Sequence, residues 1–248
     1  MAGPLTPEET RRYARHLVLK GIGGSGQQSL KAARVLVVGA GGLGSPVIAY
    51  LASAGVGTIG IVDDDVVSLS NLQRQIVHTS ADIGSPKAES AARFVAAIND
   101  GVNIVTHPVR LNAGNCSGIL AGYDLVVDGV DNFGTRLIVA EACEIAQKPL
   151  VAGAVSMFDG QVTVFAPHLP DAPRFRDLYP DTPDEADLPS CEAVGVLGAV
   201  TGVIGTLMAM EAIKLITGTA EPLIGRLLLY DGRAAKFTEL KYRRSGVR

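Results

Sequence analysis

Arg34-Val35-Leu36-Val37-Val38-Gly39-Ala40-Gly41-Gly42-Leu43-Gly44 is the stretch that decides the fold, and residues 45–65 complete it. The first five residues read as a short apolar strand, the glycines as a turn, and 45–54 as a helix of small residues. Residues 58–65 read as a second strand ending in Asp63, Asp64 and Asp65. The glycines fit Gly39-x-Gly41-x-x-Gly44, the form used where a backbone must approach a phosphate at a helix N-terminus. A Cβ at those places would block both the tight turn and the ligand. Asp63 follows the last glycine by about 20 residues, where an acidic side chain accepts from a ribose hydroxyl. Strand, turn and helix stand in the order the motif requires, so a nucleotide site is expected. The glycines alone leave the nucleotide open, because dehydrogenases, methyltransferases and ATP users share them.

Residues 66–80 are polar, lack periodicity and leave from the carboxyl end of the second strand, the edge at which open α/β sheets hold ligands. They contain Asn71-Leu72-Gln73-Arg74-Gln75. Ser85-Pro86 starts a helix to about Ile98 and puts Lys87 in its first turn, where a cation opposes the helix dipole by about 0.3–1 kcal/mol. That position suits an anion meeting Lys87, and it equally suits an ordinary surface lysine. Residues 103–109 and 124–128 read as further strands, and Asp131 follows the latter at the edge that carries the glycine turn. Asn132 can cap the next helix, leaving Asp131 for chemistry. A fifth strand covers 150–154. The pattern then turns antiparallel, with a hairpin over 157–165 whose type I′ turn falls at Asp159-Gly160. A second hairpin covers 226–242 around Asp231-Gly232. The expected fold is α/β, a Rossmann-like βαβ nucleotide-binding half (34–155) continued by an antiparallel half (156–248) in one mixed sheet. With a helical segment at 1–33, residues 1–248 read as a single domain.

Bulk properties agree with that reading. A chain of 248 residues, 47% hydrophobic and with 29 glycines, suits a compact α/β protein. Its net charge of −3 gives no electrostatic case for nucleic-acid binding. Three scattered cysteines are too few for a disulfide framework, which points to a reducing cytoplasm, and the N-terminus has no signal-peptide core. Residues 193–210 carry no charge and include Gly198-x-x-x-Gly202, a membrane dimerisation pattern. Glu192, Glu211 and Lys214 bound the stretch closely and its glycines suit tight packing, so a buried helix is expected and no membrane. Thr6-Pro7-Glu8-Glu9 starts an N-terminal helix that runs through His16. Arg11 and Arg15 share one face of it, either solvated or reaching over a neighbouring subunit. Residues 21–26 read as a flexible loop before a helix at 27–33. The proline-rich, acidic segment 167–190 reads as a lid or a crossing segment, and Cys191 stands just beyond it.

At the strand ends the sequence gathers the glycine turn with Gly42, Asp63, Asp65, Asn71, Arg74, Gln75, Lys87 and Asp131. A glycine turn alone can hold a dinucleotide diphosphate, whereas a triphosphate needs cations and a carboxylate-held magnesium. Arg74, Lys87 and Asp131 supply both, so ATP is favoured over NAD. There is no Gly-Lys-Ser/Thr ending of a P-loop.

The strings Arg12-Tyr13-x-Arg15, Gly26-Gln27, Val38–Pro46, Ala54-Gly55-Val56-Gly57, Asp63-x-Asp65, Ser70–Gln75, Gly84-x-Pro86-Lys87 and Asp131-Asn132 resemble the MoeB/ThiF/HesA adenylyltransferases, bacterial relatives of ubiquitin-activating enzymes. The likeness covers nearly the whole chain in one order, and Ser70–Gln75 is far more specific than the glycines. It implies ATP-dependent adenylation of the C-terminal glycine of a small ubiquitin-fold sulphur-carrier protein, most closely the small subunit of molybdopterin synthase. Implied alternatives are the thiamine-pathway carrier and a tRNA-modifying dehydratase. By the same resemblance Gly42 and Asp63 hold adenosine, Gly39, Gly41, Gly44, Asp65, Asn71, Gln75 and Asn132 complete the nucleotide site, and Arg74 and Lys87 hold phosphates. Asp131 binds Mg2+, and Arg15 reaches the γ-phosphate of the other subunit's ATP in a homodimer. A sulphur donor such as a cysteine desulphurase or rhodanese is a further implied partner. Cys191 matches a cysteine able to take a thioester or persulphide, or is a semi-buried thiol at a helix start, while Cys116 and Cys143 read as structural. The family's two Cys-x-x-Cys pairs are missing, Arg174-Phe175-Arg176-Asp177 standing in the first place, so no zinc is expected. A non-catalytic binding module is disfavoured by the joint presence of Arg15, Asn71, Arg74, Lys87 and Asp131.

Overall fold

Apolar runs closed by glycine or acid become strands: β1 (Arg34–Val38), β2 (Thr58–Val62), β3 (Asn103–His107), β4 (Leu125–Asp128), β5 (Leu150–Ser156), β6 (Asp159–Phe165), β7 (Arg226–Asp231) and β8 (Lys236–Lys241). The computed structural model describes residues 3–181 and 194–246. The strands form one sheet in the order β3-β2-β1-β4-β5-β6-β7-β8. β1 to β5 pair in parallel, and β5 to β8 pair antiparallel. The helices are α1 (Pro7–Arg12), α2 (Ala14–Leu17), α3 (Gly23–Ala32), α4 (Gly44–Ala54), α5 (Lys87–Ile98), α6 (Cys116–Leu120), α7 (Phe133–Ile145), α8 (Phe175–Leu178) and α9 (Gly198–Thr217).

Alternation along β1 divides the core. Val35 and Val37 pack with Leu51, Ile59, Ile61, Val95 and Met208 on one face, and Leu36 and Val38 with Leu120, Val126, Val139 and Leu150 on the other. α9 is long and apolar enough to cross a membrane by composition, yet Val200, Ile204, Met208, Ala209 and Ala212 are buried within the protein. Its path over the sheet requires missing side chains. A Cβ on Gly153 would overlap Met208, and one on Gly160 would overlap Ile204. Glu211, buried on the same helix, pairs with Lys214 and accepts from the Leu223 N–H at 2.8 Å.

Four local expectations are corrected. The β5–β6 hairpin turns at Met157-Phe158, with Ser156 opposite Asp159 and Met157 at φ 51, not at Asp159-Gly160. Gly160 serves the contact with Ile204 instead of the turn. The second hairpin has a four-residue loop, 232–235, in which the Asp231 carboxylate accepts from Arg233 N–H and Ala234 N–H. Residues 23–26 are helical, because Gly26 lets α3 close on Ile22 and Thr217. The N-terminal helix breaks at Tyr13, whose ring lies beneath Gly55 and whose hydroxyl accepts from Asn99. Within the crossing segment, residues 182–190 lie outside those described, and so does Cys191.

Candidate functional site

The strand order reverses between β1 and β4, the switch point at which open α/β sheets leave a crevice. Gly39 N–H donates to Val62 O at 2.8 Å and Gly129 N–H to Val38 O at 2.9 Å, which folds the glycine turn over the carboxyl ends of three strands. Gly39 has φ 90, and a Cβ on Gly44 would overlap the Gly39 carbonyl oxygen. A cavity of about 440 Å³ opens there, lined by Gly39, Gly41 and Gly42 and by the charged Asp63, Asp64, Asp65, Arg74, Lys87, Arg110, Asp131 and Arg136.

Asp63 ends β2 with both oxygens engaged. Oδ2 accepts from Ala40 N–H at 2.7 Å and Oδ1 from Asp65 N–H at 2.9 Å. Burial pushes its carboxyl up, against these two donors and the Lys87 charge. Lys87 is the first residue of α5 and is buried, with Nζ 2.6 Å from Asp65 Oδ2. Burial works to raise the Asp65 carboxyl, but the hydrogen bond and charge of Lys87 hold it below the usual range. The lysine is therefore committed to an anion in this state, and that anion is Asp65. A ligand phosphate would compete for the same ammonium. Arg74 lines the cavity while its Nη1 donates to Ser70 O at 3.1 Å. Gln75 lines it too, 3% exposed, with an Oε1 that has no hydrogen-bond partner among the described residues. A buried acceptor without a donor is costly unless something fills the space before it.

Asp131 and Asn132 line the cavity at the start of α7, and Asn132 Oδ1 caps the helix by accepting from Thr135 N–H at 2.8 Å. Three expected site residues lie elsewhere. Asn71 is buried behind the loop, where its Oδ1 accepts from Ser68 N–H at 3.2 Å. Gly44 shapes the turn without lining the cavity, and Arg15 is exposed on α2, also off its lining. Cys116 and Cys143 are free and buried, and burial raises both thiols above their ordinary value, which disfavours the thiolate.

Sequence reasoning missed five residues. Asp128 ends β4 fully buried, with Oδ2 3.4 Å from Arg136 Nε. Arg136 also donates to Val130 O and Gly153 O at 2.8 Å, tying the loop that carries Asp131 to β5. Burial raises the Asp128 carboxyl, with Arg136 acting against it. Arg110 and Thr201 line the cavity from the β3–α6 loop and from α9. His78 is buried against Ala40 of the glycine turn. An acid at the end of β4 and an arginine one turn inside α7 were the available signs of the buried pair. An isolated histidine in a polar loop carried none.

Among the described residues no three His, Cys, Asp or Glu side chains cluster as a metal site. A divalent ion at Asp131 would draw its other oxygens from phosphate and water, the usual habit of magnesium. The cradle at Gly39–Gly44, which a Cβ would fill, and the orphaned Gln75 oxygen fit a polyphosphate nucleotide with such an ion.

A model described as the ThiF family matches residues 13–246. A Mycobacterium tuberculosis protein named "Probable adenylyltransferase/sulfurtransferase MoeZ" is 49% identical over 249 residues, covering 100% of this chain and 62% of that protein. The chain thus spans less than two thirds of that relative's length. A Thermus thermophilus protein named sulfur carrier protein adenylyltransferase is 48% identical over 245 residues, 97% of this chain and 90% of its own. A crystal structure of E. coli MccB with ATP superposes with a TM-score of 0.79 at 22% identity, over 95% of this chain and 73% of that one. That last likeness is one of fold.

Proposed function

The chain belongs to the ThiF family, and on that premise we propose that it adenylates the C-terminal carboxylate of a small ubiquitin-fold sulphur-carrier protein with ATP, releasing pyrophosphate. The observation that carries this reading is the convergence of Arg74, Lys87 and Asp131, distant in sequence, with the glycine turn in one cavity. The names borne by the relatives support the same chemistry.

The reaction needs no general base. The attacking carboxylate is ionised at neutral pH, so the barrier is that of bringing two anions together. Arg74 and Lys87 offset the charge that develops at the α-phosphate, and the cavity walls align the carrier's terminus with it. Lys87 exchanges Asp65 for phosphate as the nucleotide enters. Asp63 receives the ribose, and Asp131 would hold a magnesium ion, which would supply positive charge beside the phosphates. Arg15, exposed and outside its own chain's cavity, serves the γ-phosphate of a second copy, which makes the working unit a homodimer. The chain acts as a single adenylation domain in the cytoplasm. Its carrier is the small subunit of molybdopterin synthase, and Cys191 is available to a sulphur donor for the later transfer.

Carrier-dependent pyrophosphate exchange tests the core of this reading. Asp131→Asn and Arg74→Ala are each expected to lower the rate by about 10²–10³, the scale of one lost electrostatic contact. Wild-type rates in both variants would refute the assignment. Running the assay with the molybdopterin-synthase and thiamine-pathway carriers side by side identifies the substrate.

A further inference from the structure

His78 lies in the 66–86 loop, 6% exposed. Its Nε2 is 2.9 Å from the carbonyl oxygen of Ala40 and its Nδ1 is 2.8 Å from Ser90 Oγ on α5. A carbonyl only accepts, so Nε2 carries the proton. Burial keeps the imidazole's pKa below its ordinary value and the ring neutral, and the Nδ1 lone pair therefore accepts from the Ser90 hydroxyl.

Ala40 is thus held at both ends. Its N–H donates to Asp63 at 2.7 Å and its carbonyl accepts from His78. In a trans peptide the carbonyl and the following N–H point in opposite directions, and no cis peptide bond occurs among the described residues. Turning the Ala40 carbonyl into the buried imidazole turns the Gly41 N–H the other way, toward the cavity that Gly41 lines. Among the described residues that N–H has no partner. An uncommitted backbone donor beside the N-terminus of α4 is complementary to a phosphate oxygen.

We infer that His78 is a positioning residue that aims the Gly41 N–H at the nucleotide's phosphates, with Ser90 holding the other ring nitrogen; this rests on the nucleotide reading of the site. The whole chain carrying His78→Gln, His78→Asn or His78→Ala is titrated calorimetrically with Mg-ATP, NAD and adenosine, with thermal unfolding run alongside. A glutamine amide reaches the place of Nε2, whereas an asparagine amide reaches only that of Nδ1. The Ala and Asn variants are expected to bind Mg-ATP about ten-fold more weakly, one hydrogen bond's worth, with Gln within about three-fold of wild type. Adenosine, which has no phosphate, binds all four proteins alike. Equal losses for ATP and adenosine, or equal rescue by Asn and Gln, overturn the role of His78. Should the wild type prefer NAD to ATP, the adenylation reading fails on its own. The same comparison, made with the diphosphate of NAD, then decides the role of His78. If His78→Ala does not fold, Ser90→Ala keeps the ring and removes the hydrogen bond that anchors its Nδ1. It is expected to weaken the phosphate-bearing ligand and not adenosine, and no change overturns the inference.

Discussion

The middle of the sheet and its last strand are buried to opposite degrees. β1, β2 and β4 are buried along almost their whole length, while all six residues of β8 are exposed. Parallel strands must return through helices, so their connections are long and gather at one edge. Two of the antiparallel connections are hairpins of two and four residues, while residues 166–225 carry the chain from β6 to β7. All eight charged residues lining the cavity come from connections and helix starts of the parallel half. β5 adds Ala154 and Val155 to the wall, and the segment between β6 and β7 adds Val196, bridged to Met157, and Thr201 of α9. The charged lining collects where parallel strands force long connections.

The contrast is most exposed to test at Arg136, where the parallel half holds a buried charge pair beside its site. Arg136→Ala strands Asp128 in the core, and the expected loss is about 3–5 kcal/mol in urea unfolding at neutral pH. The pH dependence has a definite sign. The folded pKa of Asp128 is already raised by burial, and losing Arg136 raises it further. A carboxyl raised on folding costs stability as pH climbs from its ordinary value, near about 3.9, through the native one. The deficit of the variant is therefore smaller at about pH 5 than at about pH 8. Asp128→Asn with Arg136→Met recovers most of it. A loss below about 1 kcal/mol would mean that this edge is not held by buried charge.

That pair also marks the limit of what the sequence discloses. The glycine turn, Asp63 and the strands of the front half follow from local patterns: an apolar strand, a glycine spacing and an acid at a fixed distance. The hairpins were legible as hairpins, but Asp159-Gly160 misled on the turn. Dipeptide preference competes there with tertiary packing, and Gly160 lies where α9 leaves no room for a Cβ. Gly26 of α3 misled for the same reason, since a Cβ there would press on Ile22. Asp128 with Arg136, and His78 with Ala40, join residues through space with no periodicity between them, so only the folded chain brings them together.

A smaller effect is expected where the site's covering loop is pinned. Asp82 accepts from Arg93 Nη2 at 2.6 Å, Thr79 Oγ1 at 2.7 Å and Thr79 N–H at 2.9 Å. The hydrogen bond from Arg93, with those from Thr79, holds its carboxyl far below the usual range. A carboxyl depressed on folding contributes stability above its ordinary pKa and loses it as pH falls toward the native one. Half of the Arg93 side chain is in water, so the pair is discounted to the surface scale. Asp82→Ala is expected to cost about 1 kcal/mol at neutral pH. The gap to wild type should narrow steadily below about pH 4. A gap that stays constant down to acid pH would assign the loss to packing and not to the charge.

The smallest effect belongs to β8. Leu240 stands opposite Leu227 and is 49% exposed. Leu240→Thr keeps a strand-favouring side chain and gives up part of one cross-strand contact, a class worth about 0.2–1 kcal/mol. The expected change in unfolding free energy is within about 0.5 kcal/mol, with Mg-ATP affinity unaltered because β8 contributes nothing to the cavity wall. Urea unfolding and calorimetry on one preparation read both. A loss above about 1.5 kcal/mol would mean that the exposed strand is covered in solution. Concentration dependence of that loss would assign the cover to a second copy of the chain, and the division between a buried working half and a tolerant outer half would fall.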